Sequence, residues 1–341
     1  MRLRLIYPLL ALVVLLIAGS CAANRGNLYP LDEGYTRFED LGPKLTALMR
    51  EHPEICRVHL IGFSGTEQLP LYALQIGDRK LDRKVLVIGQ HHGDEVLGIE
   101  VALGIAKALL SEPNKEAKAI LSRYQIWIIP TINPEGWRIV RNGEYQWKRR
   151  NNRDTNGNGV FDSREDGVDL NRNYPLFWEY DQLTAVTDQY YKGSAPASEA
   201  EVRAVMDLAE REKFSLAVFY HSSASGAFSE KLYLPWHEAG DPKTNANWDK
   251  LLKLSEYYAS LVKKDYLKGT YEVHKAGNSR IGNARNYFFY RQNCPAFLVE
   301  IGGKNSSGVA VVHPQAKMVG NLVKKHLNAF SKLLLSPLME L

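Results

Sequence analysis

Six short runs of this chain are dense in β-branched, aromatic and other apolar residues: RVHLIGFS, LYALQIG, KVLVIGQ, YQIWIIPTIN, FSLAVFYHS and AFLVEIGG. Their length and composition predict strands. Between them, apolar residues recur at helical spacing in YTRFEDLGPKLTALMREH, EVLGIEVALGIAKALLSEP, SEAEVRAVMDLAEREK, NWDKLLKLSEYYASLVKKD and AKMVGNLVKKHLNAFSKLLL. These segments predict amphipathic helices. Strands alternating with helices predict an α/β fold, a largely parallel sheet with helices on both faces. No repeat or low-complexity linker interrupts the pattern after residue 30, so residues 30 to 341 read as a single domain.

The first 21 residues, MRLRLIYPLLALVVLLIAGSC, break the alternation. Two arginines, an apolar run short for a membrane span and small residues at its end make a secretory signal layout. Its end, IAGSC, resembles a bacterial lipoprotein signal in which Cys21 becomes the lipidated first residue. Plain cleavage near CAA and an uncleaved anchor are the alternatives, and all three export the remainder of the chain. Outside a reducing compartment Cys56 and Cys294 either pair or stay buried as thiols. The net charge is +5 with Lys and Arg dispersed, which gives no basic stripe for a nucleic acid.

Titratable residues gather where predicted strands end, and in open α/β sheets that is where sites form. In VLVIGQHHGDEVLGIE, His92 and Glu95 form H-x-x-E at a strand-to-helix turn. An imidazole and a carboxylate so spaced can converge on one cation, and zinc favours such ligands. The bland alternative is a polar turn whose acids face a helix N-terminus. His221 ends the run SLAVFY, and an open zinc site takes three protein ligands. His92, Glu95 and His221 would make that set, with a separate carboxylate needed as base.

With these residues the chain resembles the zinc carboxypeptidases of the carboxypeptidase A type. The resemblance runs in order through IGFSGTEQLPLYALQIG, HHGDE, TINPEGW, WKRRNN, GVDLNRNYP, FYHSS followed by LYLPW, and CPAFLVEIGG. It implies a mixed, largely parallel central sheet, Zn2+ held by His92, Glu95 and His221, and removal of a C-terminal residue from a peptide. Glu300 in FLVEIGG matches the family's catalytic carboxylate. In WKRRNN the oxyanion donor falls on Arg149 by one alignment and on Lys148 by another, with Arg150 adjacent. Arg149 is preferred, because its fork is rigid and permanently charged. Asn171 and Arg172 resemble the clamp on the substrate's terminal carboxylate, and His91 matches no ligand position.

The chain departs from the family pattern before the last strand. Asn286 occupies a position that is usually Asp, and Asn278 falls where a mobile tyrosine is usual; Tyr271 could serve only through a longer loop. Arg285 falls at a specificity position, which implies a departing residue with an acidic side chain or an extra carboxylate, as in the diaminopimelate of peptidoglycan stem peptides. DTNGNGVFDSRE places Asp154, Asn156, Asn158, Asp162 and Glu165 at first, third, fifth, ninth and twelfth positions, with Gly159 sixth. That spacing satisfies a Ca2+ loop, and the alternative is a polar Asn/Gly loop without an ion. Two other functions remain on the resemblance: an N-acyl amino acid deacylase, and a non-catalytic receptor for peptides or wall fragments.

Overall fold

The computed structural model describes residues 31–111, 114–223, 228–237, 248–265, 267–274, 279–304 and 310–340. The predicted leader, including Cys21, and Asn278 lie outside the described residues. Among the described residues no helix is long and apolar enough to cross a membrane.

Eight strands form one sheet: β1 (Cys56–Phe63), β2 (Pro70–Ile76), β3 (Lys84–Ile88), β4 (Gln125–Ile129), β5 (Leu216–Ser222), β6 (Lys231–Tyr233), β7 (Glu272–His274) and β8 (Ala296–Ile301). The order across it is β1-β2-β4-β3-β5-β8-β6-β7. The central neighbours β4, β3, β5 and β8 run parallel. β1 and β2 add an antiparallel hairpin at one side, and β6 joins β8 antiparallel on the other while pairing with β7 in parallel. The sheet is thus mixed and largely parallel, as the resemblance implies.

Side chains of the central strands alternate between two apolar clusters, as a pleated strand buried on both faces requires. Val85, Val87, Val218 and Tyr220 face one cluster, which receives helices α1 (Phe38–Glu51), α2 (Leu97–Leu110) and α3 (Lys115–Leu121). α6 (Trp248–Leu261) and α7 (Ala316–Leu335) complete that side. Leu86, Ile88, Phe219 and Leu298 face the other, covered by Val202, Val205 and Leu208 of α5 (Ala200–Glu212). Between β4 and α5, α4 (Pro134–Arg141) begins a long irregular stretch. Cys56 lies in the first cluster and Cys294 in the second; both are free thiols, and the sheet between them settles the alternative of pairing.

The six predicted strands and five predicted helices all form. Two strands of three residues, β6 and β7, carry too little pattern to announce themselves, and the short helices α3 and α4 were not predicted. The run YQIWIIPTIN stops being a strand after Ile129, where Pro130 cannot donate to the ladder.

Candidate active site

The site lies at the carboxyl ends of β3, β5 and β8. β3 ends at Ile88, and the chain turns through Gln90, His91, His92 and Gly93 before α2. Gly93 is there because no side chain fits: a Cβ would stand 2.4 Å from the Gly136 carbonyl carbon and 2.6 Å from the Lys148 oxygen. Its N–H instead donates to the Arg149 carbonyl at 3.0 Å. Asn133, capping α4, donates from Nδ2 to the carbonyls of His91 and Arg149, 3.1 Å each. TINPEGW therefore staples the histidine turn to the WKRRNN segment.

His221 in β5 is in register with Glu300 in β8, so the parallel pairing sets these two side chains side by side. His92 Nδ1 lies 2.9 Å from Glu95 Oε1, His221 Nδ1 lies 2.6 Å from Glu95 Oε2, and the two Nδ1 atoms are 3.1 Å apart. Tetrahedral zinc with ligands at about 2.0–2.1 Å has edges of roughly 3.3 Å, so the trio needs only a slight expansion to hold that ion. Among the described residues this is the one His/Cys/Asp/Glu group whose ligand atoms converge. Burial pushes the His221 pKa down to about 4, which keeps a lone pair on its imidazole at neutral pH. Asp169 Oδ1 takes the other ring nitrogen of His92 at 3.1 Å, fixing the tautomer that leaves Nδ1 free for a metal.

The three consecutive cations separate cleanly. Lys148 is buried and donates to the Asp166 carbonyl at 2.8 Å; burial, then Arg150, lowers its pKa to about 7. Arg150 donates to the carbonyls of Arg164, Glu165, Gly167, Val186 and Asp188, and so braces loops. Arg149 lines the cavity. Its Nε donates to Asp169 Oδ2 at 2.8 Å and its Nη1 lies 3.5 Å from Glu95, and although burial opposes its charge these acids hold the guanidinium ionised.

A cavity of about 520 Å³ joins the trio to Glu300, Arg149, Asn171, Arg172 and Arg285. Glu300 Oε2 is buried without a hydrogen-bond partner among the described residues, and burial followed by the charge of Glu95 raises its pKa well above the carboxylate range. Asn171 accepts from the Ala284 N–H at 3.0 Å, which seats the turn that presents Arg285. Arg172 donates to the Asn171 carbonyl at 3.0 Å and stands 3.8 Å from Asp181. Arg285 donates from Nε to the Leu234 carbonyl at 2.8 Å, and burial, then Arg172, lowers its pKa to about 10.

One expectation is corrected and another gains no support. Tyr271 is not in the cavity: it is buried against His326, its hydroxyl near the Gly302 N–H without a well-formed hydrogen bond. It belongs to the core because the adjoining strand β7 docks it there rather than on a free loop. The loop of Asp154, Asn156, Asn158, Asp162 and Glu165 closes on itself. Asp154 accepts the N–H groups of Gly157 and Gly159, Asn156 that of Asn158, Asn158 that of Val160, and Asp162 those of Arg164 and Glu165. Its acids do not form a converging trio, so the expectation of calcium gains no support. Sequence reasoning did not single out Asp94 and Tyr190, which line the cavity, or Asp169, which braces His92 and Arg149. Asp169 stood inside the quoted GVDLNRNYP, two residues ahead of Asn171, and an acid beside the clamp was the available signal.

The sequence profile described as zinc carboxypeptidase matches residues 44–327. The chain is 26% identical to mast cell carboxypeptidase A of Rattus norvegicus over 235 residues, 66% of this chain and 52% of that protein. It is 31% identical to the carboxypeptidase N catalytic chain of Rattus norvegicus over 154 residues, 43% of this chain and 32% of that protein. It thus spans about a third to about a half of the length of these curated relatives. Carboxypeptidase A from Helicoverpa armigera shares the fold at a TM-score of 0.71 and 20% identity, over 88% of this chain and 73% of that one. Bovine thrombin-activatable fibrinolysis inhibitor, solved with a tick carboxypeptidase inhibitor, does so at 0.72 and 18%, over 88% and 96%. With two histidines and a glutamate converging beneath a shared profile that spans most of its length, the chain belongs to the zinc carboxypeptidase family.

Proposed function

We propose that this chain is an exported metallocarboxypeptidase that hydrolyses the last peptide bond of its substrate and favours a departing residue with an additional carboxylate. The observation that carries the reading is the cavity in which a trio fit for zinc, a carboxylate with one oxygen buried and unpartnered among the described residues, and three arginines meet. His92, Glu95 and His221 would hold a zinc ion, which would supply Lewis-acid polarisation and a more acidic water.

The chain's own residues do the rest. Glu300, on the cavity wall beside the trio, accepts the proton of the attacking water and delivers it to the departing amine. Arg149 turns its remaining N–H donors to the oxygen where negative charge develops, held there by Asp169. Arg172, with Asn171 beside it, grips the terminal carboxylate, which restricts cleavage to a chain end. Arg285 takes the further carboxylate of an acidic residue or of a diaminopimelate-type stem peptide. Export follows from the leader, with lipidation at Cys21 as anchor.

Turnover of blocked dipeptides and of stem peptides by the purified chain, with and without a zinc chelator, tests this. Chelator-sensitive release of free C-terminal residues, abolished in Glu300→Gln with zinc retained, is the expected result. Cleavage of N-acyl amino acids alone would substitute the deacylase, and tight binding without turnover the receptor.

A further inference from the structure

One aromatic ring in the cavity touches two of the three arginines of the proposed machinery. The guanidinium carbon of Arg149 stands 4.9 Å from the centroid of the Tyr190 ring, and that of Arg172 stands 5.4 Å from the same centroid. Both lie within the range of a cation–π attraction. Tyr190 is half-buried and lines the cavity, while Arg149 also leans on Asp169 and Arg172 on Asp181 at 3.8 Å.

The backbone that delivers Tyr190 is strapped to the neighbours of those two arginines. Arg150, next to Arg149, donates to the carbonyls of Val186 at 2.7 Å and Asp188 at 3.1 Å. Asn173, next to Arg172, donates from Nδ2 to the Lys192 carbonyl at 2.8 Å. Between these straps the Asp169 N–H donates to the Tyr191 carbonyl at 2.8 Å, and Asp188 accepts the Tyr190 N–H at 2.7 Å. The segment is therefore tied at both ends to the elements whose spacing its ring bridges.

We propose that Tyr190 is a positioning residue that fixes the distance between the oxyanion donor Arg149 and the carboxylate clamp Arg172, and so gauges the length of the departing residue's backbone. The inference rests on the roles proposed above for those arginines. In a C-terminal α-amino acid residue the scissile carbonyl and the terminal carboxylate are held a fixed number of bonds apart. A C-terminal β-amino acid residue, with one extra backbone methylene, adds one carbon–carbon bond of about 1.5 Å between them. A misplacement of about 1 Å costs on the order of 100-fold in rate. The attraction needs the ring face, so the hydroxyl plays no part in the gauge.

The test compares kcat/KM for paired peptides ending in an acidic α-amino acid or in its β-homologue with one extra backbone methylene, using the zinc-loaded full chain with zinc content and Tm recorded for each variant. The parent is expected to prefer the peptide ending in the α-amino acid by about 100-fold. Tyr190→Leu and Tyr190→Met should reduce that preference below about ten-fold, with Tyr190→Phe retaining it. A parent with no preference, a Leu or Met variant that keeps the parent ratio, or a Phe variant that loses it would overturn the proposal. An amidated C-terminus separates the two layers: if Arg172→Ala leaves the preference for a free over an amidated terminus intact, the clamp itself is wrong and the gauge falls with it.

Discussion

Asp169→Asn is an isosteric change whose consequences can be worked out atom by atom. Oδ1 accepts from His92 Nε2 at 3.1 Å and from the Asn171 N–H at 2.9 Å, and Oδ2 accepts from Arg149 Nε at 2.8 Å. An asparagine can satisfy the first two donors with its oxygen, but its amide nitrogen then faces the N–H of Arg149. The reverse orientation donates to His92 Nε2, forces the ring proton onto Nδ1 and leaves the Asn171 N–H unpaired, so it is disfavoured. Damage should therefore fall on Arg149 more than on the metal. Removing one partner of a buried ion pair costs about 3–5 kcal/mol, tempered here by Glu95 remaining 3.5 Å from the guanidinium. Loss of a positioned oxyanion donor reduces kcat by about 100- to 1,000-fold. Zinc affinity should fall by no more than about ten-fold, the mild end of what an outer partner of a metal-bound histidine contributes. Competition with a chromophoric chelator gives the affinity, and steady-state kinetics at saturating zinc give kcat. A variant with kcat within three-fold of the parent, or one that loses far more zinc affinity than turnover, would refute the reasoning.

Other outcomes follow from the same structure. Glu201 is fully buried near Glu135 and Glu199, and burial, then Glu135, raises its pKa to about 8 from the usual 4.5. The folded chain thus holds a proton that the unfolded chain releases, so stability falls as pH rises between those values. Glu201→Gln should raise stability by about 2–3 kcal/mol more at pH 9 than at pH 6 in denaturant titrations, and an equal gain at both would contradict the cause. Tyr271→Phe should leave kcat/KM within about two-fold and stability within about 1 kcal/mol, since its hydroxyl makes no well-formed bond; a large loss of turnover would restore Tyr271 to the mechanism. Arg285→Ala should cut the preference for acidic over apolar departing residues by at least about ten-fold, a loss of 1.4 kcal/mol or more. Unchanged selectivity would mean that Arg285 faces no substrate carboxylate.

Periodicity made most of the fold legible. Val85, Val87, Val218 and Tyr220 belong to one face and Leu86, Ile88, Phe219 and Leu298 to the other, and such runs cannot be stable unless both faces are covered. Strands β6 and β7 escaped because three residues give alternation no room to register. The trio was legible because each member sits where an apolar run ends, and that position survives folding: His92 follows β3, and His221 lies near the end of β5.

Local patterning was enough for the layered α/β architecture, the residues able to meet at strand ends and the order of the motifs, because burial of strand faces is a local, repeating demand. The packed fold was needed to select which of Lys148, Arg149 and Arg150 reaches the cavity, to place Tyr271 in the core, to join His92 to Arg149 through Asp169, and to keep Cys56 and Cys294 on opposite sides of the sheet. Those outcomes depend on the path of irregular loops. That path is set by buried carbonyls finding donors far away in the chain, as when Arg150 gathers five of them, and no spacing along the sequence encodes it.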